Sequence, residues 1–443
     1  MVATLQSHVM GAWHTAPDAG APLADAVTGA EIARISSAGV DFAGAVRYAR
    51  TVGGPALRAL TFRERAALLK DLAKHLNGLR DEFHALSFRT GATRRDSSVD
   101  IDGGTGTLLV YAGKGAKELP DATVLVDGAA EPLERNGTFA GQHLLVPRHG
   151  VAVQINAFNF PVWGMLEKLA PAFLAGMPSI VKPAARTAYL TELVFRRIVE
   201  SGILPPGSAQ LICGGTGDLL DHLDGQDIVS FTGSAATARV LRTHDAVAAR
   251  SVRFNAEADS LNCAILGPDA TPGTPEFDLY ADQLVTEMTV KAGQKCTAIR
   301  RAFVPRGLLD AMQDAVTERL ARVVVGHPEH PDTTMGALAG LDHRDDVRAA
   351  VRRLTDAATL VFGDPDKADV TGADDRSGAF LSPLLLRCDD PDRAEPHEIE
   401  AFGPVGTLMP YDDTAHAATL AARGAGSLVG SVVSADPAFV RDV

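Results

Sequence analysis

Cysteine is scarce in this chain, with four residues in 443. Cys213, Cys263, Cys296 and Cys388 are widely spaced and form no CxxC pair, which argues against a zinc framework and a disulfide scaffold and leaves no residue marked as a metal ligand. Positive charge is also short. Lys and Arg number 42 against 55 Asp and Glu, for a formal net charge of -13, whereas a nucleic-acid partner demands a basic footprint. A small anionic ligand is still compatible with that balance. No apolar run approaches the roughly 18 residues of a membrane helix. The opening MVATLQSHVMGAWH lacks the charged-then-apolar order of a secretory leader. The expectation is a cytoplasmic protein with no membrane contact.

What is present points to a packed globular chain, with 46% hydrophobic and 22% charged residues. At roughly 150 residues per domain, the length predicts two or three domains. Leu69, Leu72, Leu76, Leu79, Phe83 and Leu86 recur three and four apart, predicting an amphipathic helix over 61–90. Thr61 and Glu64 read as its capping box and Gly91 as its end. From 151 onward, short apolar runs (VAVQI, SIVK, QLIC, IVSF, CAILG) alternate with helical segments, as in a parallel sheet covered on both faces. Such sheets bind ligands at the carboxyl ends of their strands. Residues 121–150 break this pattern with two apolar stretches about a polar centre, an antiparallel excursion that either pairs with another subunit or stands in solvent. GDPDKADVTGADDRSG, at 363–378, reads as a surface loop.

Chemistry enters with the cysteines. Cys213 and Cys263 lie in apolar runs, where an inert buried thiol is the natural reading, and Cys388 precedes two aspartates that oppose a thiolate. Cys296, in VKAGQKCTAIRRAFVP, sits among small and polar residues with Lys295 before it and Arg300 and Arg301 after it. Nearby cations favour the nucleophilic thiolate, although chance composition would give the same arrangement. NAFNFP and FNAEADS place Asn159 and Glu257 after predicted strands, which adds an amide donor and a general base to a nucleophile, the parts needed to attack a carbonyl. Singly, Asn159 reads equally as a turn residue and Glu257 as a solvated carboxylate at a helix start. FTGSAATARVL and CGGTGDLL are glycine-containing strand-to-helix turns able to hold a phosphate, but neither is a full G-x-G-x-x-G.

The order NFP, KP, FTGS, glutamate, GQKC and EAFGP along nearly the whole chain resembles the aldehyde dehydrogenase superfamily. INAFNFPVWGMLEKLAP, SFTGSA, EADSLN and MTVKAGQKCTAIRRAFVP are most similar to the aldehyde dehydrogenase part of the bifunctional ring-opening enzyme of phenylacetate degradation. They are also similar to the semialdehyde dehydrogenase of the benzoyl-CoA epoxidation route. The resemblance implies an α/β fold of the aldehyde dehydrogenase type. Residues 1–120 and 151–256 would form a Rossmann-type dinucleotide-binding domain, 121–150 a protruding oligomerisation hairpin, and 257–443 an α/β catalytic domain. It implies Cys296 as nucleophile, Asn159 as oxyanion donor and Glu257 as water activator. It further implies Lys182 at the adenosine ribose, Gly233 and Ser234 at the pyrophosphate, Phe158 in place of a common tryptophan, and Glu400 and Phe402 at the nicotinamide ribose and ring. Relatives that pass the acyl group to coenzyme A typically lack the glutamate, so Glu257 implies hydrolysis to a free acid.

Three departures from the family pattern carry expectations of their own. Ala185 stands where many NAD-dependent members have a glutamate, and with Arg186 adjacent this favours NADP, NAD being the other possibility. Ala238 replaces a frequent glycine, where a methyl would either shift the pyrophosphate or do nothing. Relatives continue past SVVSADPAFVRDV, so the catalytic domain reads as incomplete at its C-terminal end, and a dimer-based homo-oligomer is expected of the full-length protein. The expected reaction is NADP-dependent oxidation of a coenzyme A-linked semialdehyde from aromatic ring degradation. The alternatives are a general NAD(P)-dependent aldehyde dehydrogenase and a nucleotide-binding module without turnover.

Overall fold

The computed structural model describes residues 2–443 and divides into two compact units. The first comprises residues 2–23, 31–86 and 98–258, and the second 24–30, 87–97 and 259–443.

The first unit is built on a seven-stranded sheet in the order Arg253–Ala258, Ile228–Gly233, Ala152–Ile155, Ser179–Lys182, Ala209–Leu211, Ser7–Val9 and Ala12–His14. Its first five strands are parallel, matching the alternating apolar and helical segments of the sequence. The two N-terminal strands, which have no sequence signal beyond a few residues, add to the edge in antiparallel sense. Side chains alternate between the two faces. Val153, Ile155, Ile180 and Val229 pack in one core cluster, while Val181 and Leu211 pack in another with Leu69, Leu72 and Phe173. A strand buried on both faces has no polar alternation, which is why these runs read as continuously apolar.

The helix expected over 61–90 forms as two, Phe62–Gly78 and Arg80–Ser87. Thr61 and Glu64 make the reciprocal capping box, with Glu64 N–H to Thr61 Oγ1 at 3.2 Å and Thr61 N–H to Glu64 Oε2 at 2.8 Å. Leu79 leaves helical geometry at φ -108°, ψ 3°, after Asn77 and Gly78, two weak helix formers in sequence. Leu69, Leu72 and Leu76 are fully buried, each contributing about 1.5–3 kcal/mol. Residues 121–150 contain the antiparallel pair Leu125–Pro132 and Ala140–Leu145, which among the described residues pair only with each other.

The second unit carries a six-stranded sheet, ordered Thr359–Phe362, Leu384–Arg387, Val405–Tyr411, Arg301–Pro305, Cys263–Leu266 and Gly430–Val433. All of its pairs are parallel except the first. The run CAILG, which falls in the 257–443 region expected to be a separate domain, belongs here. The division differs from one drawn at 256/257. Glu257 lies in a strand of the first unit, the hairpin belongs to that unit, and residues 24–30 and 87–97 belong to the second. Backbone bonds Ala26 N–H to Arg89 O and Ala379 N–H to Ala26 O recruit those short segments, and pairing over such separations leaves no local pattern in the sequence.

Candidate active site

In the first unit the chain runs outward from the central strand Ala152–Ile155 through Ser179–Lys182 to Ala209–Leu211. It then returns to the other side of the central strand at Ile228–Gly233. That reversal is a switch point, where the crevice at the carboxyl ends of the strands is open to a ligand. Asn159, Lys182, Gly233, Ser234 and Glu257 all lie at or just beyond those ends.

The Asn159 loop is fixed from several sides. Asn156 N–H continues the sheet to Lys182 O at 3.0 Å. Thr187 Oγ1 donates to Phe158 O and Thr191 Oγ1 to Pro161 O, both at 2.9 Å. Asp100 accepts from Trp163 N–H at 2.8 Å and Val162 N–H at 3.2 Å, satisfying orphan donors at the start of helix Trp163–Leu174. Asn159 itself is buried.

Glu257 stands in register with Thr232, and Ala258 with Gly233. It therefore sits near the end of a strand, not at a helix start. It is partly exposed and lines a cavity of about 650 Å³ together with Gln154, Trp163, Lys168 and Thr232. Gly233 leads through Ser234, whose Oγ accepts from Thr237 N–H at 3.3 Å, into helix Ala235–Arg242. A Cβ on Gly233 would lie 2.5 Å from the Phe231 ring, so a larger residue here would require that ring to shift. The methyl of Ala238 is buried in the core with Phe231 and Val229. Burial lowers the pKa of Lys182, with an opposing influence from the Cys213 thiol. The Arg186 guanidinium lies 5.2 Å from the centre of the Phe158 ring.

The second unit departs from the expectation that functional groups follow strands. Cys296, Glu400 and Phe402 precede the adjacent strands Arg301–Pro305 and Val405–Tyr411, at the amino ends of the sheet. Helix Pro275–Thr289 ends just before the cysteine loop, and the backbone then takes positive φ at Lys291 (54°), Ala292 (50°) and Gly293 (68°). Such conformations cost of order 1–3 kcal/mol for non-glycine residues and persist only when their surroundings impose them. Here Asp96 accepts from Lys291 N–H at 2.7 Å and Gln294 Nε2 donates to Lys291 O at 2.8 Å. Gln294 Oε1 also accepts from Ala339 N–H. The buried Asn262 donates to Cys296 O at 2.8 Å and Ala298 O at 3.0 Å. A Cβ on Gly293 would lie 2.0 Å from Gly403 O, so the cysteine loop passes against the Glu400–Gly403 segment.

The cations around Cys296 are distributed unequally. Lys295 Nζ is paired with Glu287 at 2.7 Å. Arg301 is fully buried and bonds the carbonyls of Leu261, Leu420 and Ala421 and the ring of His397. Arg300 faces the loop. The remaining cysteines are buried, and burial raises the thiol pKa of Cys213, Cys263 and Cys388, the last to about 11. For Cys388 burial is the largest cause and the charges of Asp390 and Asp389 add to it, while the bond its thiol donates to Asp390 O at 3.0 Å opposes it. Cys296 is the partly exposed cysteine. Burial also raises the Glu400 carboxyl to about 7, against the lowering influence of Arg300.

Local reading of the sequence did not single out Asn262, Asp96 or Asp100. Each acts on backbone groups distant in sequence, and a lone Asn or Asp carries no signal for that. Among the described residues no group of three or more His, Cys, Asp or Glu could hold a metal ion, and no helix is long and apolar enough to cross a membrane.

Residues 13–443 match the aldehyde dehydrogenase family. The 3,4-dehydroadipyl-CoA semialdehyde dehydrogenase of Aromatoleum evansii is 49% identical over 442 residues, covering 99% of this chain and 85% of that protein. The lactaldehyde dehydrogenase of Escherichia coli has a TM-score of 0.85 at 23% identity, covering 100% of this chain and 88% of that one. A betaine aldehyde dehydrogenase of Staphylococcus aureus in complex with NAD+ has a TM-score of 0.83 at 23% identity, covering 99% and 85%. At such identities the structural likeness speaks for the fold. With a family match across nearly its whole length, a relative at 49% identity and a fold that comprises a Rossmann nucleotide-binding domain and an α/β catalytic domain, this chain belongs to the aldehyde dehydrogenase family of NAD(P)-dependent oxidoreductases.

Proposed function

We propose that the chain oxidises a coenzyme A-linked semialdehyde, arising from aromatic ring breakdown, to the carboxylate with NADP. The observation that carries this reading is the 49% identity, over 99% of the chain, to a protein named for a coenzyme A-linked semialdehyde.

In this reading the Cys296 thiolate attacks the aldehyde carbon, forming a C–S bond and a tetrahedral oxyanion. The Asn159 side-chain amide donates to that oxygen as negative charge develops, which is where a fixed donor is worth most. A bound nicotinamide would supply the acceptor for the hydride of the tetrahedral carbon. Cys296 then carries a thioester. Glu257 removes a proton from water as its oxygen attacks the acyl carbon, and the C–S bond breaks to release the acid and the thiolate.

The residues present suit the dinucleotide. Glu400 Oε1 is buried without a hydrogen-bond partner, as befits an acceptor for a ribose hydroxyl. The turn at Gly233 and Ser234 opens a helix whose first N–H groups suit a pyrophosphate. Lys182 suits the adenosine ribose. Ala185 puts no carboxylate at the place where one would repel a 2'-phosphate, and the cation Arg186 follows it.

The test is a comparison of kcat/KM for a coenzyme A-linked semialdehyde and a small free aldehyde, each with NADP and NAD. The expected result is a preference of about tenfold or more for the coenzyme A-linked substrate, equivalent to about 1.4 kcal/mol, and a preference for NADP. Ala185→Glu is expected to shift the cofactor ratio toward NAD by about tenfold, since like charges about 4 Å apart repel by a kcal/mol or more. Equal kcat/KM for the two aldehydes would favour a general aldehyde dehydrogenase. Absence of turnover with every pair would favour a binding module.

For the hairpin we infer a role in self-association. Leu133, Phe139, Leu144 and Leu145 are exposed on or between two strands that among the described residues pair only with each other, and exposed apolar clusters of this kind mark interaction surfaces. Sedimentation is expected to give a dimer or larger assembly. Charged replacements at Phe139 and Leu144 should reduce its mass, and an unchanged mass would remove the role.

A further inference from the structure

We propose that Arg300 is a positioning residue that locks the cysteine loop to the Glu400–Gly403 segment and supplies the cation facing the Glu400 carboxylate. The proposal rests on the reading of Cys296 as nucleophile and Glu400 as ribose acceptor.

The guanidinium is a planar fork whose donors keep fixed directions, and here each arm has a distinct target. Nη1 donates to Gly403 O at 2.7 Å. Nη2 donates to Gly293 O at 2.7 Å and to Lys295 O at 3.3 Å. One side chain therefore holds the backbone that leads into Cys296 and the segment after Phe402. The third direction, Nε, points toward Glu400 Oε1 at 3.9 Å, too far for a hydrogen bond, and neither atom has another partner. The Phe402 ring centre is 5.5 Å from the guanidinium carbon. A single buried cation thus meets the nucleophile loop, the carboxylate and the aromatic ring assigned to the nicotinamide end.

Neighbouring charges do not duplicate this arrangement. Lys295 is engaged with Glu287, and Arg301 with main-chain carbonyls and His397. The groups acting on Glu400 are Arg300, Asp259 and the Ser260 N–H, and only Arg300 is a cation. The anionic groups acting on Arg300 are Glu400, Glu287 and Cys296. Desolvation opposes charge on both Arg300 and Glu400, so each gains from the other's ionised form. A lysine would keep the charge but lose the fork, since its ammonium is a point charge on a flexible stem.

The experiment measures cofactor affinity by tryptophan-fluorescence quenching from pH 5.5 to 9, using NAD, which has no titrating 2'-phosphate. The proteins are wild type, Arg300→Gln, Arg300→Lys and Glu400→Gln, with thermal melts and steady-state cofactor KM and kcat measured beside them. For the wild type, affinity is expected to rise as Glu400 ionises through about 7. That rise should be absent in Glu400→Gln. Arg300→Gln is expected to move the midpoint upward by about 1–3 pH units, the effect of removing an adjacent opposite charge. Arg300→Lys is expected to keep the midpoint within about half a unit but to raise the cofactor KM severalfold while kcat changes less, because the charge survives and the loop clamp does not.

An unchanged midpoint in a folded Arg300→Gln overturns the charge role. If that variant does not fold, an Arg300→Lys protein with wild-type KM overturns the clamp. A wild-type profile in Glu400→Gln defeats the underlying reading of Glu400 and is thereby distinguished from failure at Arg300 alone.

Discussion

Replacing Cys296 with alanine is expected to lower aldehyde oxidation by roughly 10⁴-fold or more, the scale seen when a covalent nucleophile is removed, while leaving cofactor binding intact. Only Cys296 among the four cysteines is partly exposed; the others are buried with their thiols pushed away from ionisation. No nearby thiol can substitute. Its loop is also costly to build, with two non-glycine residues at positive φ and side-chain or backbone bonds from Asp96, Gln294, Asn262 and Arg300. Strain of this kind at one loop is best explained by a geometric demand at the residue it carries. The measurement is reduced-cofactor absorbance under saturating aldehyde, with Kd for the cofactor determined in parallel. Residual activity within tenfold of wild type, in a protein that melts normally, would remove Cys296 from the chemistry.

Glu257→Gln is expected to separate the two halves of the reaction. Hydride transfer precedes the step assigned to Glu257, so the variant should release about one equivalent of reduced cofactor per site in a rapid burst. Steady turnover should then fall by about 10²–10⁴-fold, the usual contribution of a general base. The amide keeps the size of the side chain and removes only its basicity. Position supports the assignment, since Glu257 lies one residue before the end of its strand, on the wall of a cavity of about 650 Å³, and is partly exposed, where water can reach it. Loss of the burst together with turnover would move Glu257 into the first half-reaction. Unchanged turnover would leave water activation to another group.

Much of the first unit was legible because its signals are local. Apolar runs at 151–155, 179–182 and 228–231 became central strands, and the Thr61–Glu64 capping box formed as read. The helix over 61–90 was drawn too long because periodicity continues through Leu79 even though the backbone turns there. The second unit was less legible at its site. Asn159 and Gly233 lie at or beyond the carboxyl ends of their strands, where the sequence pattern leads one to look for a site, whereas Cys296 and Glu400 lie before theirs. Strand direction relative to a site depends on how the sheet is assembled, and no short stretch encodes it.

By itself the sequence determined the class of fold, the candidates Cys296, Asn159 and Glu257, and the order of motifs that resembles one superfamily. Those properties depend on residue type, spacing and contact with near neighbours, all of which a linear reading contains. Tertiary structure alone decided how the cations next to Cys296 in sequence are partnered. Lys295, adjacent in sequence, turns to Glu287, whereas Arg300 reaches Gly403, 103 residues away. A buried ion or donor is placed by whichever oxygen folding brings within about 3 Å, and that partner is set by the packing of distant strands.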